Sequence, residues 1–431
     1  MIRKVNDMAA DIKVYQGNQI GGCITVISTK KSRIVIDFGE NLPGAEKESN
    51  IEFDWGKEKV DAVFFTHYHG DHIGRFMEIP DDVDLYMGEV TYKVMKNIRE
   101  AIKDERAVKK LTERLENGSI TFVERAMPIY INDDIVVTGY EVDHSAYDAL
   151  MYLVEADGTN ILHTGDFRDH GHRGHKIKNG EDQNVILDVI RYYVKKKGRR
   201  NVDILIIEGT MMGERAKEER FSEKDLKKWA IDYFKEHRHI FLKISSTNVD
   251  SLASFYQAAR VNGITMYANK YIRKQFRVYR AAGRKRGTYM YDFSGVELIP
   301  FISDWEGADN RESYQTLDDM RKNGFVAIVS EYDHYERLMD ELADVNPELI
   351  YSMWKGYLDP SKDAYNEKLA AFCKKYHSFT MHTSGHAYPE LIEKVIEEVN
   401  PTQRIWPIHT ENADEFKKLI ISEELKGKVR V

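Results

Sequence analysis

Residues 66–72 read Thr66-His67-Tyr68-His69-Gly70-Asp71-His72, so three imidazoles and a carboxylate fall within six positions. They follow directly on Asp61-Ala62-Val63-Phe64-Phe65, a short apolar run expected as a strand buried on both faces. In an extended segment, residues two apart project to the same side, so His67 and His69 face one point. Gly70 permits a sharp turn, after which Asp71 and His72 are able to point back toward them. Imidazole nitrogens and carboxylate oxygens suit zinc, with manganese as the second candidate. So dense a run of donors reads as a metal centre rather than a polar loop. One ion needs three or four ligands, so further donors must come from elsewhere. His144, Asp166 and His409 each follow a strand-like run, in Tyr140–His144, Asn160–Asp166 and Ile405–His409. Strand C-termini are where α/β active sites collect. With the first cluster they complete two coordination sets.

Those donors require strands to carry them. Ile24–Ser28 and Ile34–Asp37 are β-branched runs separated by the Lys30-Lys31-Ser32 turn, and Gly39 stops the second. Helical stretches are expected at 89–117, and further strands at 135–138, 150–154, 160–164 and 203–207. The texture changes near residue 213. A charged helix over 222–237 precedes a strand at 240–244, and helix then alternates with strand to about 353, which predicts βαβ units on a small parallel sheet. A last segment holds 379–382, the helix 389–399 and the strand 405–409. The 431 residues correspond to roughly 2.9 domains of typical size. With 42% hydrophobic and 31% charged residues the chain is neither disordered nor fibrous. Its mean hydropathy is −0.54 and no apolar run suits a membrane span. Met1–Asp7 lacks an apolar signal core and only Cys23 and Cys373 exist, so a reduced, cytoplasmic protein is expected. The net charge of −8 argues against blanket nucleic-acid binding and leaves room for a local basic patch.

The order of these motifs, HxHxDH after a strand, then a His, then Gly-Asp, then a distant His, resembles the metallo-β-lactamase fold. The resemblance implies an α/β protein built as an αββα sandwich with a two-metal site at one edge. It implies His67, His69 and His144 on one ion, Asp71, His72 and His409 on the other, Asp166 bridging, and Asp37 supporting the site from behind. From Asp166 to His409 is 409 − 166 = 243 residues, and the alternating segment between them matches the β-CASP insertion of nucleic-acid-processing members. Domains are therefore expected at 1–212, 213–370 (the insertion) and 371–431. Glu208 matches that group's first acidic motif. Ser384-Gly385-His386-Ala387 matches its second, with His386 the functional histidine, and His409 matches its third, where Thr410 replaces the usual Gly. The resemblance is to ribonuclease J-like proteins and spans nearly the whole chain. Because the sequence stops 431 − 409 = 22 residues after His409, the C-terminal domain of full-length ribonuclease J is expected to be absent. A homo-oligomer is compatible with the family.

What the family implies chemically is two-metal hydrolysis of an RNA phosphodiester, the RNA being single-stranded. Asp71 would orient or deprotonate the attacking water, His386 would bind a phosphate oxygen or protonate the leaving oxygen, and Glu208 would orient a nearby histidine. Ser246 and Thr247, at the start of a helix after the strand 240–244, would form an anion site, although helix capping explains them equally well. Ser384 and His382 would contact phosphate in the same way. Between Lys270 and Met290 lie eight basic residues and no acidic one. Arg273, Arg277, Arg280 and Arg284 share one helix face, either as a track for the RNA backbone or as a solvated face paired with the acidic stretch Asp304–Glu312. His170, His172 and His175 sit in a Gly-rich segment read as a flexible loop beside the site, with a third metal site as the alternative. His163, His237, His239, His334 and His377 have no pattern. Competing functions are a metal-dependent hydrolase of DNA, a nucleotide or a small ester, and a non-catalytic RNA-binding member, which would be expected to have lost ligands.

Overall fold

The runs that precede the ligand candidates are apolar at consecutive positions because both of their faces are covered. In the computed structural model, which describes residues 10–42, 51–197, 201–303 and 309–430, they become strands of two stacked sheets. The chain divides into two compact units, Met1–Glu219 with Gly385–Val431, and Arg220–Ser384. The resemblance implies an insertion over 213–370.

In the first unit, β1 (Asp11–Tyr15), β2 (Ile24–Ser28), β3 (Arg33–Ile36), β4 (Ala62–Phe64), β5 (Asp84–Met87) and β6 (Ile120–Phe122) lie side by side in chain order. The pairs β1–β2 and β2–β3 are antiparallel, and pairing is parallel from β3 onward. The helical stretch at 89–117 is two helices, Glu89–Ala101 and Glu105–Glu116. Lys103 turns left-handed at φ 59°, and Asp104 caps the second helix by accepting from Ala107 N. Next come β7 (Pro128–Ile131), β8 (Ile135–Glu141), β9 (Leu150–Ala156) and β10 (Thr159–His163). A hairpin of β11 (His175–Lys178) and β12 (Glu181–Asn184) follows, then β13 (Ile204–Glu208).

The second unit has its own parallel sheet. Its strands are β14 (His239–Ile244), β15 (Thr265–Ala268), β16 (Glu297–Leu298), β17 (Phe325–Ile328), β18 (Glu348–Ser352) and β19 (Phe379–Thr380), in the order β16-β15-β17-β14-β18-β19. Helices alternate with these strands, as the sequence pattern predicts. The unit extends to Ser384 because β19 pairs with β18.

The chain then returns to the first unit through the helix Pro389–Val399 and β20 (Arg404–Ile408). β20 pairs parallel to β13 and completes the second sheet, β20-β13-β10-β9-β8-β7. Alternate residues of both sheets form one shared core: Ile34, Ile36, Ala62 and Phe64 from the first, Leu150, Tyr152, Val154, Ile204, Ile206 and Ile408 from the second. Glu105–Glu116 packs beside β6 and Pro389–Val399 beside β13, which completes the expected sandwich. Among the described residues no helix is long and apolar enough to cross a membrane.

Candidate metal centre

The ligand candidates gather where β3, β4, β8, β10, β13 and β20 end. Asp37 and His409 leave their strands in the left-handed region, at φ 60° and 51°, a conformation most residues avoid and one concentrated at functional sites. Gly39 allows the Asp71–His72 turn to lie directly on the chain after β3. A Cβ there would fall 1.6 Å from the Asp71 carbonyl oxygen. Phe38 N donates to His72 O at 2.8 Å and Glu40 N to Gly70 O at 3.0 Å across this contact.

Four histidines share one arrangement, in which the outer ring nitrogen is held and the inner one faces the centre. Asp37 Oδ1 accepts from Thr66 N at 2.7 Å, and its Oδ2 accepts from Thr66 Oγ1 and His72 Nδ1, both at 2.8 Å. Because the Thr66 hydroxyl donates to Asp37, its lone pair accepts from His67 Nδ1 at 3.0 Å. Gly385 O accepts from His144 Nδ1 at 2.6 Å, and Thr210 Oγ1 from His409 Nδ1 at 2.8 Å. Each Nδ1 thereby has an acceptor for its proton, and each Nε2 faces inward, the atom through which a neutral imidazole would ligate. Three ring nitrogens then crowd together: His67 Nε2 and His144 Nε2 lie 3.0 and 3.2 Å from His69 Nδ1.

The carboxylates complete a second group. Asp71 Oδ2 is 3.1 Å from His409 Nε2 and 3.7 Å from His72 Nε2. Asp166 Oδ2 is 3.1 Å from His72 Nε2 and 4.0 Å from His67 Nε2, so it lies between the two groups. Donor atoms come within 4.8 Å of one another in His67–His69–His144, in Asp71–His72–His409, in His67–His72–Asp166 and in Asp166–Glu208–His386–His409. The His72 Nε2 atom is buried and makes no hydrogen bond in spite of its nearness to Asp166. An inward ring nitrogen without a hydrogen-bond partner, beside crowded imidazoles and two carboxylates, fits a divalent cation. Glu208 is fully buried at the end of β13; its Oε1 accepts from Ala387 N at 3.2 Å and Phe167 N at 3.3 Å, and Oε2 from Thr210 N at 3.0 Å. His386 Nδ1 lies 3.3 Å from Glu208 Oε1 and 3.6 Å from Asp166 Oδ2.

Burial and mutual repulsion set the electrostatics. Burial, followed by the neighbouring imidazoles, holds His67 and His144 well below the ordinary histidine range. Burial also takes His69 down to about 4. Burial opposes charge on His72 too, but Asp166, Asp71 and Asp37 outweigh it and raise that ring well above its usual value. For Asp71 and Asp166, burial is overcome by the facing histidines, and both carboxyls are held well below the usual range. His386 rises against burial because of Glu208 and Asp166. Cys23, buried beside this cluster, is pushed up to about 12 by desolvation.

Thr66, Thr210 and Gly385, which orient the rings, escape a sequence reading because each acts through a residue type common in any loop. The His170–His175 segment has no regular structure before β11, and it is packed rather than free on the surface. Gly171 and Gly174 are buried, and Gly171 N donates to Asp143 Oδ2 at 2.8 Å. The Asn179–Gly180 pair closes the hairpin that follows, with φ 55° and 82°, the turn type that dipeptide favours. Among the described residues the converging donor groups do not include His170, His172 or His175. His163 is structural: its Nδ1 accepts from Gly165 N at 3.1 Å and its Nε2 lies 3.2 Å from Thr25 Oγ1.

The remaining candidates, Ser246, Thr247, Arg277, Arg280, His382 and Ser384, belong to the second unit. Ser246 Oγ is 3.0 Å from Tyr271 Oη, and Asn248, not Ser246 or Thr247, caps the helix Val249–Val261. The basic stripe lies on the helix Lys270–Lys285, with Ile272, Phe276 and Tyr279 buried as expected. Arg280 pairs with Asp292 at 2.8 Å and Arg284 lies 4.0 Å from the same carboxylate. Arg277 is exposed. Residues 304–308 of the acidic stretch lie outside the described residues.

Residues 20–197 match the metallo-beta-lactamase superfamily, and residues 375–431 match the Zn-dependent metallo-hydrolase RNA specificity domain. Over 170 residues the chain is 29% identical to a ribonuclease J of Helicobacter pylori, covering 35% of this chain and 22% of that protein. Over 180 residues it is 25% identical to the endoribonuclease ysh1 of Schizosaccharomyces pombe, covering 38% of this chain and 23% of that one. The chain thus matches less than a quarter of the length of these relatives. A crystal structure of a protein of unknown function from Enterococcus faecalis V583 superposes with a TM-score of 0.65 at 19% identity, covering 98% of this chain and 97% of that one, which bears on the fold alone. With the His and Asp clusters, the zinc-dependent family points to divalent-metal binding. The sandwich, its cluster of His and Asp donors and both matched segments show a metallo-β-lactamase superfamily domain in a chain that is similar to ribonuclease J.

Proposed function

We propose that the chain is a ribonuclease that hydrolyses RNA phosphodiester bonds with two divalent metal ions, zinc or manganese. The observation that carries this is the convergence of seven donors at strand ends in a chain whose residues 375–431 match an RNA specificity domain. His67, His69 and His144 would hold one ion, Asp71, His72 and His409 the other, with Asp166 shared. When bound, such cations supply Lewis acidity at phosphate oxygens and lower the pKa of water at the site. The chain's own groups do the rest. Asp71, the more accessible of the two metal-site carboxylates, orients the attacking water or takes its proton. His386, one-fifth exposed and held at Nδ1 by Glu208, offers Nε2 to a phosphate oxygen or as proton donor to the leaving oxygen. Ser246, Thr247, His382, Ser384 and Arg277 are proposed contacts to RNA phosphates. Arg280, engaged by Asp292, has a smaller part. The free, buried thiols Cys23 and Cys373 support a reducing, cytoplasmic setting.

The test is cleavage of end-labelled 5′-monophosphate and 5′-triphosphate RNA by metal-loaded protein, with DNA alongside. Metal-dependent products from RNA are expected, and their ladder separates internal from 5′-end cleavage. Intact RNA after full metal loading would refute the proposal.

A further inference from the structure

Arg168–His175 contributes no donor to the metal groups, yet it is tied closely to the stretch that presents His144. Residues Asp143 and Arg168 form an antiparallel bridge, with Arg168 N donating to Asp143 O at 2.7 Å. The far end is anchored to the hairpin strand β12 and the residue after it: Asn184 Nδ2 donates to Asp169 Oδ2 at 2.8 Å and Val185 N to Gly174 O at 2.9 Å. Between these anchors stands Arg173. Its Nη2 donates to the carbonyl oxygens of His144 at 2.6 Å and Ala146 at 2.8 Å. Its guanidinium lies 5.0 Å over the Tyr147 ring and 4.0 Å from Asp143 Oδ1. Tyr147 N in turn donates to Tyr68 Oη at 3.0 Å, and Tyr68 stands between His67 and His69 in the chain, its ring 5.5 Å from that of His69.

We propose that Arg173 is a positioning residue for the three-imidazole group: it fixes the backbone from which His144 projects and, through Tyr147 and Tyr68, braces the turn that carries His67 and His69. The inference rests on the metal reading above. A planar guanidinium reaches two carbonyls from one nitrogen while stacking on Tyr147, and lysine, a point donor on a flexible stem, reproduces this only in part. The other group is oriented by Asp37 and Thr210, so Arg173 should act on one ion and not on both.

The experiment is zinc binding by the full chain in competition with a chromogenic chelator, and cobalt(II) absorption as an independent view of the ligand geometry. Arg173→Met should weaken one equivalent by about 10–100-fold and leave the second unchanged, and Arg173→Lys should fall between it and the native chain. Unchanged affinities and cobalt spectrum in Arg173→Met overturn the assignment, as does an equal loss at both equivalents, which would mark general destabilisation. If Arg173→Met does not fold, Arg173→Lys carries the same comparison, and unchanged binding there overturns it. His67→Ala separates the two levels. If His67→Ala keeps both equivalents, the metal reading fails. If it loses one while Arg173→Met binds as native, only the role of Arg173 fails.

Discussion

Replacing Asp37 with Asn changes almost nothing in size and should nevertheless weaken metal binding, directly at His72 and through Thr66 at His67. Asp37 receives three donors, Thr66 N, Thr66 Oγ1 and His72 Nδ1, at 2.7, 2.8 and 2.8 Å. Asn keeps one acceptor and tolerates the left-handed backbone found there at φ 60°. Its other group is an NH₂, which donates toward His72 Nδ1 instead of accepting. The His72 proton must then move to Nε2, the atom that faces Asp71 and Asp166, and no lone pair remains for a cation. Loss of such a supporting partner typically weakens metal binding about 10–100-fold, or about 1.4–2.7 kcal/mol at 1.36 kcal/mol per decade. Asp37→Ala is a different perturbation. It strands three buried donors at about 1–3 kcal/mol each, so roughly 3 kcal/mol or more is lost from a fold whose whole stability is about 5–15 kcal/mol. The assay is chelator competition for divalent affinity together with melting in excess chelator. Asp37→Asn should lose affinity while its metal-free melting point moves little, and Asp37→Ala should lose both. Native affinity in Asp37→Asn would refute the reasoning that the carboxylate sets the tautomer of His72.

His386→Ala should keep its metals and lose about 10²–10⁴-fold of the hydrolysis rate, measured by metal analysis and single-turnover cleavage; metal loss as complete as in His67→Ala would make it a ligand through the Asp166–Glu208–His386–His409 group. Arg277→Ala should flatten the slope of log affinity against log salt on long RNA by about 0.7, and an unchanged slope removes the stripe from the RNA path. The effect is read at Arg277 because Arg280 is already paired with Asp292. Burial holds His163 at about 4, below its unfolded value of 6.5, so the unfolded chain takes up a proton between those values that the native chain refuses. Stability should therefore fall as pH drops from 6.5 to 4 and level off below, by at most about 1.36 kcal/mol per unit, and His163→Gln should melt with a flatter acid limb in that window.

The donor run at 67–72 is legible because its chemistry is packed into one turn, and the strands that carry it are legible because β-branched runs such as Ile34–Ile36 have no other stable use. His144, Asp166 and His409 are individually mute and gain meaning only as strand-end residues in the family's order. What the sequence hides is everything that acts across the chain. Thr66 and Thr210 are ordinary hydroxyl residues until their partners His67 and His409 are seen, and Arg173 acts on carbonyl oxygens, which every residue possesses. The hairpin at 175–184 was within reach: Asn179–Gly180 signals it, but the histidines and glycines before it draw the eye to a loop. Surface charge is least legible, because helical spacing alone does not reveal that Asp292 has claimed Arg280.

The pairing of β20 with β13 has a consequence for how the protein is made. β13 is an inner strand only once β20 lies against it, and its sequence, Ile-Leu-Ile-Ile-Glu, is an open, sticky edge until then. His72 leaves the ribosome 409 − 72 = 337 residues ahead of His409, roughly 17–67 s earlier at 5–20 residues per second. Throughout that interval the nascent chain carries most of its donors but not the strand that closes the set. The gap defers full assembly of the donor set until β20 has been made. It also makes the exposed β13 edge the place where chaperones would be expected to act and where a prematurely terminated chain would aggregate.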